Sequence, residues 1–175
     1  MDFLCLDFMN SKIENEAVRG DLLMNEAWLK HLCHKWGLGE QKKDTRTTLV
    51  QLRDALYQTT ADYSKTGEIS AENLSSLNAH LKPVVFHNRI ENSDAGCRVR
   101  EVPQSSKSIS FPYQIIMSFA DLVSNHEAGR IKICENPDCG WIFFDESKSR
   151  TRRWCGNTCA SLIKVRRFRK RQLES

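Results

Sequence analysis

Apolar residues in the first half of the chain recur at the three- and four-residue spacing that is typical of amphipathic helices. Residues 21–36 carry one such stripe, which Gly37 ends. A second stripe follows the N-cap residue Asp44, and a third runs from the cap Ser70 to a stop before Pro83. The pattern therefore predicts three helices that each bury one face.

The pattern changes in the middle of the chain. Two β-rich stretches, Val84–Glu91 and Cys97–Val102, flank the polar segment NSDAG, which predicts a hairpin. Pro112 then stands where the first turn of a helix tolerates proline, and Gly129 ends that helix. Its apolar stripe consists of Ile115, Ile116, Phe119, Leu122 and Val123. The fold class is therefore α+β and mainly helical, with a small antiparallel hairpin in a helical body.

Short strands and a last helix follow Gly129, so we place a domain boundary there, between a body of residues 1–129 and a module of residues 130–175. Charge is divided in a similar way. Residues 1–146 carry 16 basic and 21 acidic side chains, a net charge of −5, whereas residues 147–175 carry 10 basic side chains and one acidic. A basic segment on an acidic body is typical of proteins that bind a polyanion.

The sequence predicts a cytoplasmic protein without a membrane partner. It has no run of about 20 apolar residues that would cross a bilayer, and its start lacks the basic residues of a signal peptide. In a reducing compartment clustered cysteines are metal ligands more often than disulfides. Three of the seven cysteines are scattered, and we interpret them as small buried apolar residues: Cys5, Cys33 and Cys97.

The other four cysteines form two pairs at metal-ligand spacing: Cys134, Cys139, Cys155 and Cys159. The first pair encloses the turn-forming segment ENPD, between the strand-like stretches RIKI and WIFF. The second pair falls where a helix begins, with Asn157 or Thr158 as its cap. Turn, hairpin and helix predict a treble-clef-like finger that holds one structural Zn²⁺, since four thiolates leave no open coordination position.

Two other interpretations of these cysteines are open. They are four reduced residues of a small core, although that would not explain the pairing or the turn residues. Alternatively, Asp138, Asp145 or a histidine replaces one thiolate.

The residues around and after the second cysteine pair are strongly basic. We expect a helix that Leu162 and Ile163 anchor on the hairpin, helped by Trp141 or Phe143, and that is long enough to cross a DNA major groove. Arginine dominates, and its planar fork suits phosphates and guanine edges. The predicted nucleic-acid contacts are Lys148, Arg150, Arg152, Arg153, Lys164, Arg166, Arg167, Arg169, Lys170 and Arg171.

These segments resemble the CGNR-type zinc finger, whose members join it to an N-terminal ABATE domain and are described as stress-induced transcription regulators. The matching pieces are LDFMNS at Leu6–Ser11 and the run from the first cysteine pair through FFDESKSRTRRWC to the basic helix. The chain departs from the family at Cys159, where Ala-Ser-Leu follows instead of Gly-Asn-Arg. The resemblance implies a zinc-dependent DNA-binding regulator.

Our first hypothesis is therefore a zinc-dependent DNA-binding transcription regulator that prefers DNA to RNA. One short helix reads few base pairs, so the body would form a homodimer, bind a small-molecule effector, or both. The second hypothesis is an RNA-binding or ribosome-associated factor. The third is a protein-interaction module whose basic helix docks an acidic partner.

Other chemistry is weakly indicated. His31 and His34 have a metal-like spacing but lie towards the edge of their predicted helix. Asp7 and Asn10 either line a pocket or, as we favour, form hydrogen bonds in the first turn. No phosphate-binding loop, nucleophile elbow or paired histidine and carboxylate motif occurs, so we expect no enzyme activity.

Overall fold

The computed structural model describes residues 2–12, 21–39, 45–105 and 109–173. In chain order the elements are α1 (Leu4–Met9), a 3-10 turn (Leu22–Met24), α2 (Glu26–Lys35), α3 (Arg46–Thr66), α4 (Ala71–Leu81), β1 (Phe86–Ser93), β2 (Gly96–Pro103), α5 (Phe111–Asn125), a second 3-10 turn (Ala128–Arg130), β3 (Ile131–Ile133), β4 (Ile142–Phe144) and α6 (Asn157–Leu173). Strand β1 pairs with β2 and β3 with β4, both antiparallel. The mainly helical α+β fold class is confirmed. None of the helices in these four ranges is both long and apolar enough to cross a bilayer.

Helix α1 lies at the centre of the body because almost all of its side chains are apolar. A helix that is apolar all round has no face for solvent, so other elements must enclose it. Helix α5 does so on one side, where the Cys5 backbone N–H donates to Ser118 Oγ at 3.1 Å. Helix α3 does so on another, where the Thr60 hydroxyl lies 3.2 Å from Met9 Sδ.

The predicted helices form, but two of them have other ends than the pattern suggested. The Asn25 side chain accepts a hydrogen bond from the Trp28 N–H at 3.1 Å, so α2 begins only at Glu26. Helix α5 ends at Asn125, where the backbone turns extended before Gly129 is reached. A side-chain cap and an extended residue thus set these two ends, rather than the limits of the apolar stripes.

Helix α4 confirms its prediction at both ends, since it spans Ala71–Leu81 and the Ser70 hydroxyl caps it by accepting from the Asn73 N–H. The predicted cap Asp44 lies outside the described residues.

The β1–β2 hairpin projects from the body. Its register runs from Phe86 opposite Pro103 to Ser93 opposite Gly96, so the turn is shorter than the predicted NSDAG loop. The central apolar pair of the hairpin is open to solvent, with Ile90 75% exposed and Val99 65% exposed.

The interpretation of the scattered cysteines as buried holds for two of them. Cys5 and Cys33 are buried in the core, but the prediction for Cys97 is wrong. Cys97 is exposed because it lies on the projecting hairpin, which no helix covers among the described residues.

The β3–β4 hairpin packs on the body through its own apolar side chains and through one asparagine. Ile131 and Ile142 are buried in the same hydrophobic core as α1. Asn10 adds two hydrogen bonds, since its Nδ2 donates to the Ile142 carbonyl at 2.8 Å and its Oδ1 accepts from the Ile142 N–H at 2.9 Å. The Tyr57 hydroxyl donates to the Gly140 carbonyl at 2.6 Å. Body and hairpin therefore share one continuous core, and the predicted boundary near Gly129 stays a prediction.

We expect Asn10→Ala to lower the free energy of unfolding by about 1–3 kcal/mol, because both backbone groups of Ile142 lose their partner in a half-buried site. Urea titration followed by circular dichroism measures this. The matched control is Asn125→Ala, whose amide donates to Asp121 on an exposed helix end and whose loss should change stability by less than about 0.5 kcal/mol. Equal effects of the two variants would contradict the proposed anchoring role.

Candidate metal centre and basic helix

The turn between β3 and β4 forms a knuckle that points the first two thiols the same way. The Cys134 N–H donates to the Trp141 carbonyl at 2.8 Å, which closes the end of the hairpin. The Cys139 N–H donates to the Asn136 carbonyl at 2.9 Å, which makes the turn tight. Gly140 then leaves the turn with a φ of 66°, a conformation that glycine adopts without strain. The predicted knuckle is confirmed.

The four predicted ligands meet at one point. The sulfur atoms of Cys134, Cys139, Cys155 and Cys159 all lie within 4.8 Å of one another, and all four are free thiols. The Sγ atoms of Cys139 and Cys155 are 3.6 Å apart, and those of Cys155 and Cys159 are 3.7 Å apart. Tetrahedral coordination with Zn–S bonds of 2.3 Å places sulfurs about 3.8 Å apart. The cluster fits one structural zinc ion.

Two N–H groups support the sulfurs from outside the cluster. Asn136 Nδ2 donates to Cys159 Sγ at 3.3 Å, and the Cys155 backbone N–H donates to Cys134 Sγ at 3.4 Å. Such donors stabilise negative charge on thiolate sulfur and fix the orientation of the ligands. Asn136 is 4% exposed, so this contact is protected from water.

The second cysteine pair flanks the start of α6. Asn157 is the first residue of that helix, so neither Asn157 nor Thr158 caps it from outside. The first turn closes when the Ala160 N–H donates to the Gly156 carbonyl at 3.2 Å. Cys159 therefore lies inside the first turn, where the unpaired N–H groups of a helix favour thiolate.

Asp145 organises the loop that joins β4 to α6. The carboxylate is fully buried, and it accepts from the Ser147 N–H at 3.0 Å, the Ser147 hydroxyl at 2.6 Å and the Arg152 N–H at 3.0 Å. Lys132 Nζ lies 2.9 Å away and also donates to the Arg152 carbonyl. Burial alone would raise the pKa of Asp145, but the hydrogen bonds from Ser147 and Lys132 lower it well below its usual range. Asp145 is therefore a loop support, and it lies outside the cysteine cluster.

Three of the predicted nucleic-acid contacts in this loop are engaged within the chain. The Arg152 guanidinium lies 4.9 Å from the centre of the Phe143 ring and donates to the Trp154 carbonyl at 2.9 Å. Arg150 forms an ion pair with Glu127, and Arg153 forms one with Glu135. Arg152 thus lies along the surface of the finger and remains exposed.

Helix α6 extends away from the β3–β4 hairpin after its first turn. We expected Leu162 and Ile163 to anchor it, and this is wrong for Leu162, which is 46% exposed, whereas Ile163 is half-buried. Cys159 is the buried residue of the described helix, and farther along Arg166 forms an ion pair with Asp138 of the knuckle. The cysteine cluster and this ion pair therefore hold the start of α6 against the knuckle.

The exposed part of α6 gathers positive charge on one side. Lys164, Arg167, Lys170 and Arg171 line a single concave surface, which we call the cationic face. Positions three, six and seven residues after Lys164 fall on one side of a helix. At about 100° per residue, Arg166 and Phe168 lie to either side of this face, whereas Leu162, Val165 and Arg169 fall on the opposite side of the helix. Leu162, Val165 and Phe168 are exposed.

Asp7 and Asn10 line a cleft, and their side-chain hydrogen bonds reach distant elements rather than the first turn, where we had expected them. Asp7 accepts from Lys35 Nζ at 2.8 Å and from Trp36 Nε1 at 2.9 Å, which joins α1 to α2. The cleft measures about 210 Å³, and Trp141 of the finger closes one side of it. Its other lining residues come from the body: Asp7, Asn10, Leu22, Trp28, His31, Leu32 and Lys35.

Sequence reasoning missed the supports of the centre, Lys132 and Asn136, and considered Asp145 only as a substitute ligand. A usable signal was present for Lys132, a charged residue inside the apolar strand β3, and for Asp145, which directly follows the apolar strand β4. For Asn136 no local signal exists, because its amide meets a sulfur 23 residues away.

Comparison with known families gives two matches. The model for the CGNR zinc finger matches residues 130–172. The ABATE model, described as "Putative stress-induced transcription regulator", matches residues 2–126, more than two thirds of the chain. No curated protein matches the chain.

Proposed function

The chain belongs to the ABATE family, and from this membership and its CGNR zinc finger we propose that it is a zinc-dependent, DNA-binding transcription regulator. The observation that carries the proposal is the cationic face of α6, held beside the cysteine cluster. In this proposal Cys134, Cys139, Cys155 and Cys159 bind the zinc ion, and the finger, residues 130–175, is the nucleic-acid module. The body, residues 1–129, then controls where and when the finger acts.

The cationic face suits a polyanion for two reasons. First, its like charges repel one another along an exposed helix, and bound phosphates would relieve that repulsion. Second, the helix is accessible from almost every side after its first turn, so it can enter a major groove. Neutralising about five to eight phosphates would give log K a slope against log salt of roughly −4 to −7.

We expect Arg167→Ala combined with Arg171→Ala to weaken binding to duplex DNA and to reduce the salt slope by about two units, because two phosphate contacts are lost. Fluorescence anisotropy on random-sequence duplex DNA over a range of salt concentrations measures this. The matched control is Arg98→Ala combined with Arg100→Ala, which removes two arginines from the β1–β2 hairpin and should leave the slope unchanged. An unchanged slope in the α6 variant would show that this face does not contact phosphate.

The same titration separates the alternatives. Tenfold tighter binding to structured RNA than to duplex DNA at matched salt would favour an RNA-binding or ribosome-associated factor. No binding to either at low salt would favour an acidic protein partner. In that case a pull-down that survives nuclease treatment should recover the partner.

Regulation by a small molecule fits the cleft between body and finger. Trp28 and Trp141 supply aromatic surface, and His31 and Lys35 supply polar groups. A ligand bound there would touch body and finger together and so change how firmly Trp141 is held. We place the action of the protein in the cytoplasm, where reducing conditions keep the four thiols available for zinc.

A further inference from the structure

We propose that a second copy of this chain binds along the outer edge of β1, so that the two hairpins form one four-stranded antiparallel sheet. The β1–β2 hairpin is exposed along most of both strands. A hairpin of two strands alone is marginally stable in water, whereas three or more strands with an apolar face are stable. This inference concerns the body and does not depend on nucleic-acid binding.

Among the described residues no strand pairs with the outer edge of β1, so this edge offers a row of unpaired backbone groups. The Gln104 N–H donates to the Val85 carbonyl at 2.8 Å, which identifies Val85 and Gln104 as a hydrogen-bonded pair. Hydrogen bonding in an antiparallel pair alternates along each strand. The N–H and C=O groups of Asn88, Ile90 and Asn92 therefore point away from β2, towards the open edge.

The two edges of the hairpin differ in how they resist pairing. By the same alternation, the outward-facing positions of β2 are Cys97, Val99, Glu101 and Pro103. Proline has no N–H to donate, and it is one of the devices by which natural sheets protect an edge. The outer edge of β1 has no proline, lysine or bulge between Phe86 and Ser93. An added strand therefore finds its full set of donors on β1 only.

The charged residues of the hairpin favour pairing through this same edge of β1, and they favour one register. With a two-fold axis through Ile90, the Ile90 residues of the two copies lie opposite each other. Arg89 of each copy then lies opposite Glu91 of the other, which also pairs with Arg98 and Arg100 of its own hairpin. Opposite charges at such cross-strand positions stabilise a sheet. Pairing two β2 strands around Val99 would instead place Arg98 opposite Arg100, and like charges there are destabilising.

The paired sheet would also join the exposed apolar residues into one surface. Ile90 and Val99 are direct neighbours on one face of the hairpin, and Phe86 lies on that same face. Two copies side by side place Ile90 of one copy against Ile90 of the other, so each covers part of an apolar side chain that is exposed in the single chain. A dimer built in this way carries two cationic faces, as recognition of two half-sites requires.

Disulfide trapping tests the register. In a Cys97→Ser background, Ile90→Cys should form an intermolecular disulfide on mild oxidation, because paired residues on the axis have Cα atoms about 5.5 Å apart. The matched control is Val99→Cys, which is similarly exposed but would lie about 14 Å from its counterpart across three strand spacings. Equal trapping of the two variants would overturn the proposed register.

Light scattering on the zinc-loaded protein without DNA tests whether the outer edge of β1 is the dimer interface. The native protein at tens of micromolar should have the mass of two chains. Ile90→Pro should have the mass of one, because proline removes an N–H that points outwards and so leaves the β1–β2 hydrogen bonds intact. Val99→Pro, the equivalent change on β2, should remain a dimer. A native monomer, or a dimer that survives Ile90→Pro with its circular dichroism unchanged, would overturn the proposal.

Discussion

Replacing Cys139 with serine is expected to abolish zinc binding and DNA binding while leaving the helical body folded. Zinc contributes about 10–16 kcal/mol in small zinc-dependent modules, and a serine hydroxyl does not replace a thiolate as its ligand. Removing a residue that only hydrogen-bonds a metal ligand already lowers metal affinity about 10–100-fold. Removing the ligand itself should therefore lower metal affinity more than about 100-fold. Without zinc, α6 keeps little that holds it, since Cys159 is its one buried residue in the described range.

Zinc content by elemental analysis, circular dichroism and DNA anisotropy together measure the effect. The matched control is Cys97→Ser, a cysteine on the exposed hairpin away from the cluster, which should retain one zinc ion and full DNA binding. Helical signal from α1 to α5 should survive in both variants, because the cysteines form a cluster separate from the core in which these helices pack. One zinc ion per chain in Cys139→Ser would contradict the proposed ligand set.

Replacing Asp145 with asparagine is expected to lower the free energy of unfolding by about 3 kcal/mol. A buried partner of an ion pair costs about 3–5 kcal/mol to remove, and the lower end applies here because Lys132 is partly exposed. An asparagine amide would also direct N–H groups at the Arg152 N–H or at Lys132, which are donors themselves. The loop between β4 and α6 should loosen, so DNA binding should weaken even with zinc present.

Urea unfolding of the zinc-loaded protein measures the change in the free energy of unfolding. The matched control is Asp138→Asn, where the carboxylate is 60% exposed and its pair with Arg166 should contribute at most about 1 kcal/mol. The lowered pKa of Asp145 means that its carboxylate stabilises the fold above the unfolded pKa and loses that effect only as the pH falls towards the folded pKa. The difference between native and Asp145→Asn should therefore be the same at about pH 6 and about pH 8. If both variants lost equal stability, Asp145 would not be the support of the loop.

The features that the sequence could predict are those that depend on the spacing of residues close together in the chain. The apolar stripes gave the helices, Ser70 gave a cap, and the β-rich stretches gave the β1–β2 hairpin. The cysteine pairs gave the metal cluster, because ligand spacing and turn residues lie next to each other in the chain.

The features that sequence could not predict depend on distant contacts or on the absence of contact. Asn10 meets Ile142, 132 residues away, and no local pattern marks that pair. Periodicity made Leu162 look like an anchor, but its side chain is 46% exposed. Cys97 looked like a core residue by type, and only the projection of its hairpin shows that it is exposed.

The position of α1 has a consequence for how the chain is made. This short apolar helix is enclosed by α3 and α5 and is linked through Asn10 to Ile142 near the end of the chain. At about 5–20 residues per second, synthesis needs roughly 7 to 26 seconds to pass from one partner to the other. During that time α1 lacks some of the residues that bury it, so its apolar side chains are accessible to chaperones at the ribosome exit. Folding of the body is therefore completed only when the strands beside the metal centre have emerged.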